Sequence, residues 1–192
     1  MKKILILFLF LGFSFGQDGT FKHYYENGKI QTVTTLKEDK KDGPFKFYSE
    51  NGVLLFHLNY KDGKQQGLSK WYHENNGITK LSVNFKDDKP YGTFKEYYEN
   101  GQLKGIGSIK DNGRDGYWKY YYENGQLQRE GTYTNDKPDG LLTDYYENGQ
   151  LEYEGTYKDG EQQGPFKLFN ENGQLEYEGT YKDGEMISTE EF

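Results

Sequence analysis

The chain has 192 residues, with 24 Lys and Arg against 31 Asp and Glu, no cysteine, 25 Gly, 19 Tyr and 13 Phe. The lack of cysteine excludes disulfides and thiolate chemistry, and an aromatic rather than aliphatic apolar content excludes an ordinary Leu/Val/Ile core. Lysines alternate with Glu and Asp along a chain of formal charge −7, so no basic stripe of the kind nucleic acid needs is expected, and an anionic lipid surface is disfavoured on the same ground.

At the N-terminus, Lys2 and Lys3 precede an apolar run from Ile4 to Phe15, and Ser14-Phe15-Gly16 follows with small residues where a signal peptidase reads. This pattern predicts a signal peptide over residues 1–16, cleaved before Gln17, and export to the periplasm or the medium. The run is too short for a transmembrane helix, which needs roughly 20 apolar residues. Cleavage removes Lys2 and Lys3 and leaves 22 basic against 31 acidic side chains, a charge of −9.

Residues 17–192 form one repeat domain. An Asn-Gly pair following Glu recurs with its glycine at Gly28, Gly52, Gly77, Gly101, Gly125, Gly149 and Gly173, at steps of 24 except for one of 25, where Asn75-Asn76 adds a residue. A second series, Gly19, Gly43, Gly67, Gly92, Gly116, Gly140 and Gly164, keeps the same step. Seven units therefore start near residues 19, 43, 67, 92, 116, 140 and 164. They leave no room for a separate catalytic domain.

Within the fifth unit, the aromatic run Tyr117 to Tyr122 and the extended run Gln126 to Tyr133 flank Asn124-Gly125. Asn-Gly between two such runs predicts a β-hairpin with a two-residue type I′ turn. That turn places Tyr122 opposite Leu127, Lys119 opposite Glu130, and Trp118 opposite Gly131, a large ring covering a glycine. The last unit repeats the pattern, with Lys167 opposite Glu178 and Phe166 opposite Gly179. Three slots read as core: that of Trp118, that of Tyr133, and an aromatic ladder formed by Tyr24, Tyr48, Tyr72, Tyr97, Tyr121, Tyr145 and Phe169. Trp118 and Tyr121 have opposite parity on one strand, so either both faces carry rings or a bulge intervenes. The expected fold is all-β: an elongated repeat array of seven antiparallel β-hairpins in a twisted single sheet or solenoid. Its ends are expected to be atypical, with Glu190-Glu191 guarding the last edge.

The unit Gly-x-Trp/Phe-Lys-x-Tyr-Tyr-Glu-Asn-Gly-Gln-Leu followed by Glu-Gly-Thr-Tyr-Lys-Asp-Gly, clearest at Gly116 to Asp139 and Gly164 to Gly184, resembles the bacterial variant of the MORN repeat. The resemblance implies successive hairpins that serve as an interaction module, in a family often labelled as the antitoxin component of toxin–antitoxin systems. A signal peptide does not suit a cytoplasmic antitoxin. The second and third units match least, because Leu54-Leu55-Phe56-His57 and Leu81-Ser82-Val83 replace the Glu-Gly-Thr-Tyr stretch.

No enzyme activity, cofactor or metal site is expected. His23, His57 and His73 fall in three different slots, equivalent to Tyr120, Glu130 and Tyr122, so they imply no metal cluster and no repeated acid–base site. The Lys-Asp-Gly turns lack the alternating carboxylates of a calcium loop, and turns favour Asp and Gly for backbone reasons. The expected function is a non-enzymatic scaffold for a protein partner, with Phe56, His57, Leu58, Trp71 and His73 as the specialised binding patch. The alternative is an envelope, cell-wall or glycan-binding module whose tyrosine ladder stacks on sugar rings.

Overall fold

The computed structural model describes residues 18–111 and 113–192, and the expected signal peptide with its cleavage site before Gln17 lies outside the described residues. The described chain is entirely β. Its strands are β1 (Gly19–Tyr24), β2 (Ile30–Lys37), β3 (Lys40–Tyr48), β4 (Leu54–Lys61), β5 (Lys64–Gln65), β6 (Gly67–Tyr72), β7 (Thr79–Lys86), β8 (Lys89–Tyr97) and β9 (Leu103–Lys110). They continue as β10 (Gly113–Arg114), β11 (Gly116–Tyr121), β12 (Leu127–Thr134), β13 (Lys137–Tyr145), β14 (Leu151–Lys158), β15 (Glu161–Phe169), β16 (Leu175–Lys182) and β17 (Glu185–Glu191).

Each strand pairs antiparallel with the next, and β5–β6 and β10–β11 act as two interrupted strands against β4 and β9. β1 pairs with β2 and β17 with β16, so the result is one open, elongated, uncurled meander. Acidic β17 forms one edge, exposed along its whole length.

The register matches expectation in the body of the hairpins: Trp118 faces Gly131, Lys119 faces Glu130, Phe166 faces Gly179 and Lys167 faces Glu178. The turn differs. Gly125 N–H donates to the Tyr122 carbonyl at 2.9 Å and Tyr122 N–H to the Gln126 carbonyl at 2.8 Å, while only Gly125 has positive φ, at 88°. This is a three-residue loop, a type I turn closed by a glycine bulge, and the expected type I′ turn at Asn124-Gly125 is corrected to it. Glu123 has joined the loop, so Leu127 pairs with Tyr121 and not with Tyr122. Type I′ geometry occurs at the opposite ends of the hairpins. There Glu38-Asp39, Asp87-Asp88 and Asn135-Asp136 all have φ between 50° and 68°, as both central residues of that turn require.

The buried side chains occupy one face. In its central row, large and small residues alternate from strand to strand from β8 onward: Phe94, Gly107, and then Trp118, Gly131, Leu142, Gly155, Phe166 and Gly179. Trp118 leans over Gly107 of the preceding unit, where a Cβ would fall inside the indole, and its Nε1 donates to the Ser108 carbonyl at 3.0 Å. Its hairpin partner Gly131 instead lies close against the Leu141–Leu142 backbone. Trp118, Tyr133 and Leu142 form the buried cluster, with Phe94 and Tyr120 among the rings against it. In the third unit the volumes are exchanged. Fully buried Ser69 takes the ring position, paired with Val83, and Leu58 follows His57 one step along the β4–β6 register.

The Tyr121 ladder lies on the opposite face. It is half-buried from Tyr48 to Phe169, Tyr24 is exposed, and the ladder is therefore not part of the Trp118–Tyr133 core. Both faces carry rings, and a register shift also falls between Tyr120 and Tyr121. Gly125→Val, which forces a β-branched residue to positive φ, is expected to destabilise the chain by about 1–2 kcal/mol. A urea titration checks this, and an unchanged midpoint would contradict the glycine-bulge geometry.

Candidate interaction surface

One row on the aromatic face crosses every hairpin of the sheet. It runs through cross-strand partners His23, Thr32, Phe47 and Phe56, then Trp71, Leu81, Glu96 and Gly105, and on through Tyr120, Arg129, Asp144, Tyr153, Leu168, Tyr177 and Glu191. Its slots hold aromatic, aliphatic, acidic, basic and glycine residues from unit to unit. The core row beside it holds mostly rings alternating with small residues, and the ladder slot of the opposite face stays aromatic in all seven units. A surface read by a partner varies where it is read and keeps its identity where it only packs.

Three of the expected patch residues meet on this face. Phe56 pairs with both Phe47 and Trp71, Leu58 pairs with Phe45, and ring centroids lie 5.6 Å apart for Phe47–Phe56 and 6.2 Å for Trp71–Phe85. The other two lie elsewhere. His57 projects from the opposite face between Lys46 and Lys70, and burial followed by those two charges lowers its pKa, so it is neutral at neutral pH. His73 sits at the hairpin rim, its Nε2 3.0 Å from the Tyr97 carbonyl.

That rim explains His73. In the same slot of other units, the hydroxyls of Tyr25, Tyr98, Tyr122 and Tyr146 donate to the carbonyls of Tyr48, Tyr121, Tyr145 and Phe169 in the next unit, at 2.5 to 2.8 Å. His73 makes the same rung with a ring nitrogen. Asparagine amides form a second rung: Asn100 to the Glu123 carbonyl, Asn124 to Glu147 and Asn148 to Glu171, at 2.8 to 3.1 Å. In the seventh unit the residue in the tyrosine slot, Asn170, bonds within its own loop, accepting the Gln174 N–H at 3.0 Å.

The ionic stretch of the row went unread in the sequence. Arg129 forks onto Asp144 at 2.5 and 2.7 Å, in slots that hold Phe56, Tyr153 and Tyr177, or Phe47, Trp71 and Leu168, in other units. Arg114 lies over the Tyr133 ring at 4.0 Å and donates to the Tyr120 hydroxyl at 3.1 Å. Together they line an open groove of about 480 Å³. The signal was available, since these are the only two arginines in the chain.

On the opposite face, Glu130 accepts from Lys119 at 3.0 Å and from the Tyr145 hydroxyl at 3.1 Å, and Tyr117 also donates to it. Burial works against its charge, but these three donors outweigh burial and hold the carboxyl below the ordinary glutamate value of 4.5.

The MORN repeat variant profile matches residues 17–38, 41–62, 90–111, 114–135, 138–159 and 162–183. It passes over residues 63–89, the unit with the extra asparagine and the exchanged core volumes. A search of curated proteins found no match.

Tyr122→Phe, which removes one rung, is expected to cost about 1 kcal/mol in urea unfolding; Tyr121→Phe, a change already present in its slot as Phe169, should cost much less. Equal effects would refute the rung. For Glu130 the folded pKa lies below the unfolded one, so its stabilisation is complete above pH 4.5 and lost as pH falls through the folded value. Glu130→Gln should therefore flatten the acid limb of the stability–pH curve, and a limb of wild-type steepness would exclude this carboxylate as its source.

Proposed function

The chain belongs to the MORN repeat variant family, whose repeats are generally protein- and membrane-interaction modules and which is not a known enzyme family; from that membership we propose that it is an exported, non-enzymatic scaffold that binds a protein partner across its aromatic face. The observation that carries the reading is the variable row from His23 to Glu191. Folding alone asks only for residues that pack, yet the row spends an ion pair at Arg129–Asp144 where sister units place rings. A part-buried ion pair is rarely more stabilising than a well-packed apolar pair, so its retention points to recognition.

Half-buried rings beside planar, forked polar groups are the residue types that anchor protein interfaces. Export makes a protein of the envelope or the medium the partner, in preference to a cytoplasmic toxin.

Capture from envelope and secreted fractions of the source organism tests this. One protein recovered in near-equimolar amount is expected, with several-fold less on Arg129→Tyr/Asp144→Leu, whose new residues already stand in the same slots as Tyr153 and Leu168 and so suit the fold. No such protein, or equal recovery on wild type and variant, would refute the reading.

A further inference from the structure

The face opposite the aromatic row has a central row of its own, and its two halves differ. From Lys119 onward, cross-strand partners alternate in charge or carry acids: Lys119–Glu130, then Thr143, Glu154, Lys167, Glu178 and Glu190. In the N-terminal half, the lysines Lys22, Lys46, Lys70 and Lys95 are flanked only by Val33, His57, Ser82 and Ile106. Among the described residues none of the four is in an ion pair, whereas Lys119 reaches Glu130 and Lys167 reaches Glu154.

A chain of net charge −7 thus gathers an uncompensated positive line on half of one face. The neighbouring His57, whose pKa falls through burial and then through Lys46 and Lys70, reports the same local potential.

The line has a period. Its lysines stand on alternate strands, so their backbone positions recur about every 9.6 Å, twice the strand spacing. Two residues after each lysine, on the same face, comes a tyrosine of the ladder: Tyr24, Tyr48, Tyr72 and Tyr97. Between Lys70 and Lys95 the surface sinks into an open depression of about 560 Å³, bounded by Ser82, Thr93 and Tyr97.

We propose that this comb of lysine and tyrosine binds an acidic linear polysaccharide with one carboxylate per disaccharide, lying across the strands of the first four units. The period is close to the length of an extended disaccharide, so each carboxylate meets an ammonium while the tyrosine two residues on in the same strand flanks the ring that carries it. Sugar rings offer C–H faces to the aromatic quadrupole, and their hydroxyls suit the hydroxyl of Ser82, between Lys70 and Lys95, and that of Thr93 at the edge of the depression. A nucleic acid strand fits less well, because its phosphates recur every 3.4 Å or so, and the sparse row would leave most of them against an acidic protein. The site is separate from the protein-binding row, and either stands without the other.

The test is titration of the purified protein with a hyaluronan octasaccharide, which alternates glucuronate with N-acetylglucosamine and carries four carboxylates. Binding that weakens with salt is expected, with a loss of about tenfold or more in Lys46→Gln/Lys70→Gln at an unchanged thermal midpoint. Its methyl-esterified form should bind no better than that variant does. No binding of the octasaccharide, equal binding by the variant, equal binding of sodium polyphosphate, or preferential binding to phosphatidylglycerol vesicles would each overturn the proposal.

Discussion

A sheet with no second layer can bury a side chain only against its neighbours on the same face. Every other feature of this protein answers that constraint. A ring shielded on one side must find its cover along the row, and alternating Trp or Phe with Gly gives each ring a gap to lie in. Trp118 over Gly107 is the deepest instance, buried to 3% exposure without any layer above it. The cover comes from the preceding unit, so a hairpin's core is completed only by its neighbour. A hairpin alone would be marginal; the array shares its core between units.

The same dependence appears at the rim. Tyrosine hydroxyls and asparagine amides reach one unit forward to backbone carbonyls that the loops would otherwise leave to water. These rungs tie loop to loop at the side of the sheet where strands end. In the second unit the tyrosine slot holds Ser49, whose short side chain turns to its own loop and accepts the Val53 N–H at 3.2 Å. The successor unit carries the extra asparagine in its turn. The third unit's other departures have a local logic: Ser69 is small because Leu58 and Val83 are large. Its divergence at Leu58 is therefore a repacking of volume, and Phe56 and Trp71, in the row beside it, are the residues whose identity the packing does not dictate.

The strand register was legible in the sequence because a fixed step of 24 residues and opposed charges constrain it twice. Lys119 against Glu130 and Lys167 against Glu178 follow from counting outward from the glycine. The turn was not legible, since Asn-Gly serves a type I′ turn and also the last two residues of a glycine-bulge loop; the Tyr122–Gly125 hydrogen bond and the φ of Asn124, which is not positive, distinguish them. The role of His73 could not be read either, because a rung to the next unit's backbone leaves no mark in that backbone's sequence. The lysine line was hidden for a different reason. Along the chain each lysine lies within a few residues of an acid, but strand alternation and the loops send those acids to the other face or the rim.

The two faces then divide the labour of a protein that is otherwise monotonous. Repetition fixes spacing, and spacing is useful only to a partner that repeats or extends. Along the aromatic face the side chains change at every step, which suits a surface of one particular shape, as a folded protein presents. Along the N-terminal half of the other face the same pair, lysine and then tyrosine, returns four times at one interval. A repeated site at constant spacing gains from a repeated ligand, because each contact after the first forms at high effective concentration and adds to the whole without a new entropic cost of association. Where the acids return, from Glu130 onward, that gain ends, since an approaching carboxylate would meet Glu130, Glu154 and Glu178 beside the remaining lysines. The change of partner residues at Ile106 and Glu130 therefore sets the length of polymer the array can hold.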